Sequence, residues 1–191
     1  MPEDLRYTLS TIDALTETFA AAVGADVTAR HPIAPGEQAP IVLRGAIVLR
    51  RWGLLRRFRG HGGKRGPPIY SAPLDTIAAV PQLRDAEPCI VVADGVLAHR
   101  GASRLWVHPE PPRVVGFAGL AETSDDDDIP SFALIVGSSL VETLDQPMPI
   151  TIAPEAYSRW LADRELVPAS ADDWRADASG RIANQAQREL F

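Results

Sequence analysis

Cysteine and lysine are almost missing from this chain: Cys89 and Lys64 are the single examples of each among 191 residues. One cysteine excludes an intrachain disulfide framework and fits a reducing compartment, so a cytoplasmic protein is expected. No apolar run approaches the ~18 residues that span a bilayer, so no membrane partner is expected. The opening MPEDLRYTLS is acidic and lacks the charged-then-apolar order of a secretion signal. There is no glycine-rich phosphate loop, and His61-Gly62-Gly63-Lys64 lacks the strand–loop–helix context of one. His31, His61, His99 and His108 do not combine with Cys89 or carboxylates at metal-ligand spacing. The Asp125–Asp128 run reads as a solvated loop, and Gly137-Ser138-Ser139 lacks the pattern of a nucleophile elbow. No metal or cofactor is therefore expected.

Within a chain that is 46% hydrophobic with mean hydropathy −0.05, a soluble globular protein is expected. Its length suits one domain, residues 1–191. The net charge of −6 conceals a strong asymmetry. Residues 44–70, RGAIVLRRWGLLRRFRGHGGKRGPPIY, carry eight cations with no acid between Glu37 and Asp75. The rest of the chain then has 11 cations against 25 carboxylates, or −14. Trp52, Phe58 and Tyr70 are interleaved with the arginines. Concentrated positive potential attracts phosphate, and flat aromatic or guanidinium faces stack on unpaired bases. The alternative is a solvated glycine-rich loop whose arginines keep a neighbouring strand soluble.

Thr11 to Val23 spaces Ile12, Leu15, Phe19 and Val23 as an amphipathic helix. Ile41 to Leu49 reads as strand folded at Gly45, and Ser71 to Gln82 as a short helix. Cys89 to Ala93 (CIVVA) is a strand buried on both faces, where a thiol is an inert small hydrophobe. Asp94-Gly95 signals a hairpin turn into Val96 and Leu97. Arg104–His108, Val114–Leu120 and Phe132–Val136 are further strands, Ser124–Pro130 an exposed loop, and Ser138–Leu144 a short helix. Pro154–Ala162 forms a helix with proline at its start. The remainder is a polar tail with Leu190 and Phe191 as its only anchors. The fold class is α+β, rich in strands.

Taken in order, these pieces resemble the SRAP family (SOS response-associated peptidase), whose members crosslink to abasic sites in single-stranded DNA. The matching segments are RYTLS at Arg6–Ser10, IAPGEQ at Ile33–Gln38, RWGLL at Arg51–Leu55 and YSAPLDTI at Tyr70–Ile77. CIVVADG at Cys89–Gly95, GFAGLAE at Gly116–Glu122, SFALIV at Ser131–Val136 and MPITIAPEAYSRWL at Met148–Leu161 continue the series. The resemblance covers about residues 6–165 and leaves a polar tail at 166–191. It implies curved, mostly antiparallel, barrel-like sheets with peripheral helices and a basic groove for single-stranded DNA. It also implies a cysteine after the initiator methionine, whose amine and thiol capture the abasic aldehyde as a thiazolidine. An asparagine, a glutamate and a histidine assist.

Each of those positions departs from the pattern here. Asp4 stands for the cysteine, Ser71 for the asparagine, Ala98 for the glutamate, and Asp145 (or Leu144 with one insertion) for the histidine. The expectation is a pseudoenzyme with no catalytic residue. It would bind single-stranded or abasic-site DNA in a DNA-damage context without crosslinking. Arg6, Arg56, Arg57, Arg59 and Lys64 would meet phosphates, Trp52 would support or stack near a base, and Ser71 would line the groove. One alternative is an interaction module whose basic loop docks an acidic partner within a DNA-repair assembly. Another is Schiff-base capture of an abasic aldehyde by the amine of Pro2.

Overall fold

The computed structural model describes residues 6–54, 67–122, 130–141, 144 and 146–178. Five strands close on themselves: β4 (Gln38–Leu43), β5 (Ala46–Trp52), β7 (Glu87–Ala93), β10 (Val115–Ala121) and β11 (Ser131–Gly137). Their order is β11-β10-β7-β4-β5. Closure comes from a parallel pairing of β5 with β11, Arg51 opposite Ser131 and Trp52 opposite Phe132. Closure removes the exposed edges that an open sheet would present. Short strands β2 (Ala22–Val23), β6 (Ser71–Pro73) and β12 (Met148–Pro149) extend this sheet. The CIVVA run lies at its centre with β10 and β4 on either side, and Cys89 to Ala93 are at most 1% exposed.

A second, antiparallel sheet runs β13-β9-β8-β1-β3. Its strands are β1 (Arg6–Leu9), β3 (Arg30–Ile33), β8 (Gly95–Arg100), β9 (Ser103–Pro109) and β13 (Trp174–Ala178). Alternation along these strands sends Tyr7, Leu9, Val96, Leu105, Val107 and Trp174 into the main core. The helices are few and peripheral: α1 (Leu15–Phe19), α2 (Pro81–Arg84) and α3 (Tyr157–Asp163). In α3, Tyr157 and Trp160, three apart, face inward, and the Trp160 indole donates to the Cys89 carbonyl at 2.8 Å. The chain is thus an α+β fold of mostly antiparallel sheets with peripheral helices, as expected.

Several expected elements differ. The helix at Thr11–Val23 shrinks to five residues, because Ala14 and Ala20 adopt left-handed conformations on either side of it. Ala22 then donates to the Gly45 carbonyl and starts β2, leaving Ile12 39% and Val23 36% exposed. The Asp94-Gly95 hairpin does not form: β7 and β8 belong to different sheets, and Asp94 is where the chain crosses between them. Ser71–Pro73 is strand, and Ser138–Val141 shows no helix. The polar tail contains β13, all of which pairs with Pro109 to Leu105 of β9, and it buries Trp174. The hairpin at Gly45 does form, with Arg44 and Gly45 both at positive φ, the geometry that matches strand twist.

Candidate nucleic-acid interface

The closing seam between β5 and β11 carries Trp52, and β6, also paired with β11, carries Ser71. Trp52 ends β5, and Gly53, at φ +129°, donates from its backbone to the Phe132 carbonyl at 2.8 Å. A Cβ on Gly53 would lie 2.7 Å from the Tyr70 ring, so only glycine permits this turn. Leu54 and Ile69 then exchange both backbone hydrogen bonds, at 2.9 and 2.8 Å. This pair forms a neck through which the chain leaves the seam for residues 55–66 and returns. Arg56, Arg57, Arg59 and Lys64 lie in that span, outside the described residues. Beyond the neck, Ser71 pairs with Leu134 of β11, half-buried.

Trp52 itself is 1% exposed, so its face is not available for stacking on a base. Its indole donates to the Tyr70 carbonyl at 2.8 Å, and its ring packs against Tyr7. Of the two roles expected for Trp52, stacking is corrected and support remains: it fixes the strand pair from which the basic segment departs.

β1 meets the seam through Tyr7. Its phenol is fully buried without a hydrogen-bond partner, and burial, before the neighbouring Cys89 and Glu37, raises its pKa well above the ordinary value. Arg6 precedes it, half-buried, with its side chain on the opposite face of the strand. That face also holds Leu97, which pairs with Arg6, and Trp106, which pairs with Leu97. Ala98, next to Leu97, is 1% exposed and brings no polar atom. Leu144 is buried at 4% as a core residue. Asp4 and Asp145 lie outside the described residues. Arg6 and Ala98 therefore lie on neighbouring strands of the second sheet, and Trp52 and Ser71 on strands that both pair with β11. None of these four offers a thiol, a carboxylate or an imidazole.

Cys89, the chain's one thiol, is fully buried, and burial pushes its pKa far above the thiol range. Among the described residues no cluster of three or more histidine, cysteine or acidic side chains could hold a metal ion.

The crossing at Asp94 contains a network that the sequence reading missed. The Asp94 carboxylate, 7% exposed, accepts the Thr8 hydroxyl and the Ser10 backbone N–H, each at 2.5 Å. Thr8 in turn accepts from the Trp106 indole at 3.1 Å. A Cβ on Gly95 would sit 2.3 Å from that indole nitrogen, which is why glycine follows the aspartate. The Asp-Gly pair was visible in sequence, but a tight turn and a crossing between sheets share that signal.

A family profile described as SOS response associated peptidase (SRAP) matches residues 5–184. Among solved structures, a protein from Bordetella bronchiseptica superposes with a TM-score of 0.72 at 19% identity, over 91% of this chain and 98% of that one. A protein from Bacteroides thetaiotaomicron gives 0.71 at 18%, covering 90% of each chain. A phage-related protein from Bordetella bronchiseptica gives 0.70 at 16%, over 91% and 92%. At these identities the likeness concerns the fold. None of the curated proteins matches the chain.

Proposed function

The chain belongs to the SRAP family, linked to the DNA-damage response and to abasic-site binding, and we propose that it binds single-stranded or abasic-site DNA without crosslinking to it. The observation that carries this reading is the contrast between the seam's scaffold and its chemistry. The Trp52-Gly53 turn, the Leu54–Ile69 neck and the Ser71 strand flank the basic segment on both sides. Meanwhile the family's glutamate position is a buried alanine, and the one thiol is enclosed in β7. Thiazolidine formation needs an exposed thiol beside an amine, and proton transfer needs a titratable group within hydrogen-bond reach. In this reading Arg6, Arg56, Arg57, Arg59 and Lys64 contact phosphates, so affinity falls steeply with salt.

Two measurements on one sample test it. Fluorescence anisotropy with a single-stranded oligonucleotide, with and without an abasic site, is run at low and moderate salt. Binding is expected to weaken by roughly one decade or more across that range and to drop again in an Arg56→Ala, Arg57→Ala variant. Denaturing electrophoresis of the abasic complex, with and without borohydride, is expected to show no covalent adduct. A band that needs borohydride and persists in a Lys64→Arg variant would turn the reading towards Schiff-base chemistry at the Pro2 amine. No binding at low salt would turn the reading towards a module docking an acidic protein.

A further inference from the structure

The DNA reading occupies one end of the barrel; the opposite end of β10 carries a cleft that it does not use. Ala121, at the Trp52 end, and Val115, at the cleft, are six residues apart, about 20 Å at the rise of a strand. The cleft has a volume of about 710 Å³, within the range of small-molecule sites. Buried Val115, Ile152 and Trp174 make an apolar floor, while exposed Thr11, Asp13 and Arg113 stand at the rim.

Three features indicate what would fill it. The first is charge. The Arg113 guanidinium is neutralised by Asp173 and also donates to the Pro111 carbonyl at 3.3 Å. Asp13 accepts only the Thr11 hydroxyl, at 3.1 Å, and has no cationic partner among the described residues. The uncompensated charge of the cleft is therefore negative. The second is Thr151, 4% exposed and lining the cleft, whose hydroxyl has no hydrogen-bond partner. A buried hydroxyl left unpaired is uncommon because it forfeits its hydration. The third is Tyr157, whose oxygen accepts the Gly116 N–H at 3.0 Å while its own proton has no acceptor among the described residues. The cleft thus combines an anionic rim, an apolar floor and two hydroxyls not fully used.

We propose that this cleft binds a small aromatic amine, with its ammonium at Asp13, its ring on Val115, Ile152 and Trp174, and its ring N–H donating to the remaining lone pair of the Tyr157 oxygen. An anionic ligand would meet Asp13 with its own charge, and a neutral one would leave that carboxylate unpaired.

Tryptamine is a suitable probe, with 3-ethylindole as its neutral and indole-3-propionate as its anionic counterpart. Each is titrated into the ¹⁵N-labelled full chain and followed by NMR and calorimetry. For tryptamine, saturable shifts are expected within residues 11–18, 113–116 and 151–157, with affinity at least ten-fold above the other two. Asp13→Asn, at an exposed site, should retain the folded spectrum and lower tryptamine affinity to that of 3-ethylindole. Tyr157→Phe should weaken tryptamine binding several-fold. Absence of saturable shifts at the cleft, equal affinity for the three probes, or no effect of Asp13→Asn would each overturn the proposal.

Discussion

The ring of Tyr7 lies 5.1 Å from that of Trp52, tilted at 55°, and this contact joins the two sheets of the molecule. Tyr7 belongs to β1 of the outer sheet, and Trp52 to the last residue of β5, where the barrel closes. A tilted aromatic pair contributes about 0.5–1.5 kcal/mol beyond the area it buries. Its position matters more than that energy. The contact sets β1 against the seam from which the basic segment leaves.

Trp52→Ala is expected to lower folding stability by about 3–5 kcal/mol, the usual cost of removing a large buried aromatic. Trp52→Phe keeps most of the ring contact and loses the bond to Tyr70, whose carbonyl still accepts Leu134 N–H at 3.0 Å. It should therefore cost about 1–2 kcal/mol. Urea unfolding measures both. Because the indole is enclosed, DNA affinity per folded molecule should be unchanged in Trp52→Phe; a ten-fold loss there would mean that the ring meets a base directly.

At the crossing between sheets, Gly95→Ala drives a methyl group into the Trp106 indole and to within 2.9 Å of the Val107 carbonyl. Overpacking against backbone costs about 1–3 kcal/mol. Asp94→Ala, which strands the Thr8 hydroxyl and the Ser10 N–H, should be worse than Asp94→Asn, which keeps one acceptor. Thermal melts of the three variants should rank Asp94→Asn as the most stable; the reverse order of the two aspartate variants would contradict the network.

Cys89 gives a direct probe of thiol chemistry. Being enclosed and held protonated by burial, it should react with an aromatic disulfide reagent only as the protein unfolds. Its rate should follow urea concentration through the unfolding transition. Stoichiometric labelling of the folded chain within seconds would place the thiol at the surface and reopen covalent chemistry.

Alkaline pH should destabilise the fold through its buried phenols. Burial pushes the Tyr157 pKa up to about 12, against an ordinary value of 10.0 once unfolded. Between those values the unfolded state has lost a proton that the folded state keeps. Stability is therefore fully present below pH 10 and is lost as pH rises towards 12. Tyr7, whose pKa is raised further in the same direction, adds to the fall. Tyr157→Phe should flatten part of this slope in urea unfolding at several pH values; a slope identical to that of the parent chain would contradict the shift.

Periodicity and composition were enough to identify the strands β7, β9, β10 and β11, but not β1, β3 or β13 of the second sheet. The CIVVA run could only be a strand covered on both faces, because five consecutive apolar residues leave no side for water. The ordered set of short segments carried the family. Where the reading failed, local pattern was outweighed by distant partners. The Thr11–Val23 spacing is helical, but Ala22 finds the Gly45 carbonyl of a strand tip and leaves the helix for β2. WRADA looks like polar tail until β9 supplies a complete antiparallel partner.

The functional positions divide in the same way. Sequence by itself determined that Cys89 is the one thiol among these residues. It also determined where positive charge concentrates, because that is a property of order along the chain. Tertiary structure decided that Trp52 is a core residue rather than a surface one, that Asp94 spans two sheets, and that Asp13, Thr151 and Tyr157 share a cleft. Those outcomes depend on which strand closes against which, a choice made by packing between residues from 45 to more than 100 positions apart. No window of neighbouring residues contains it.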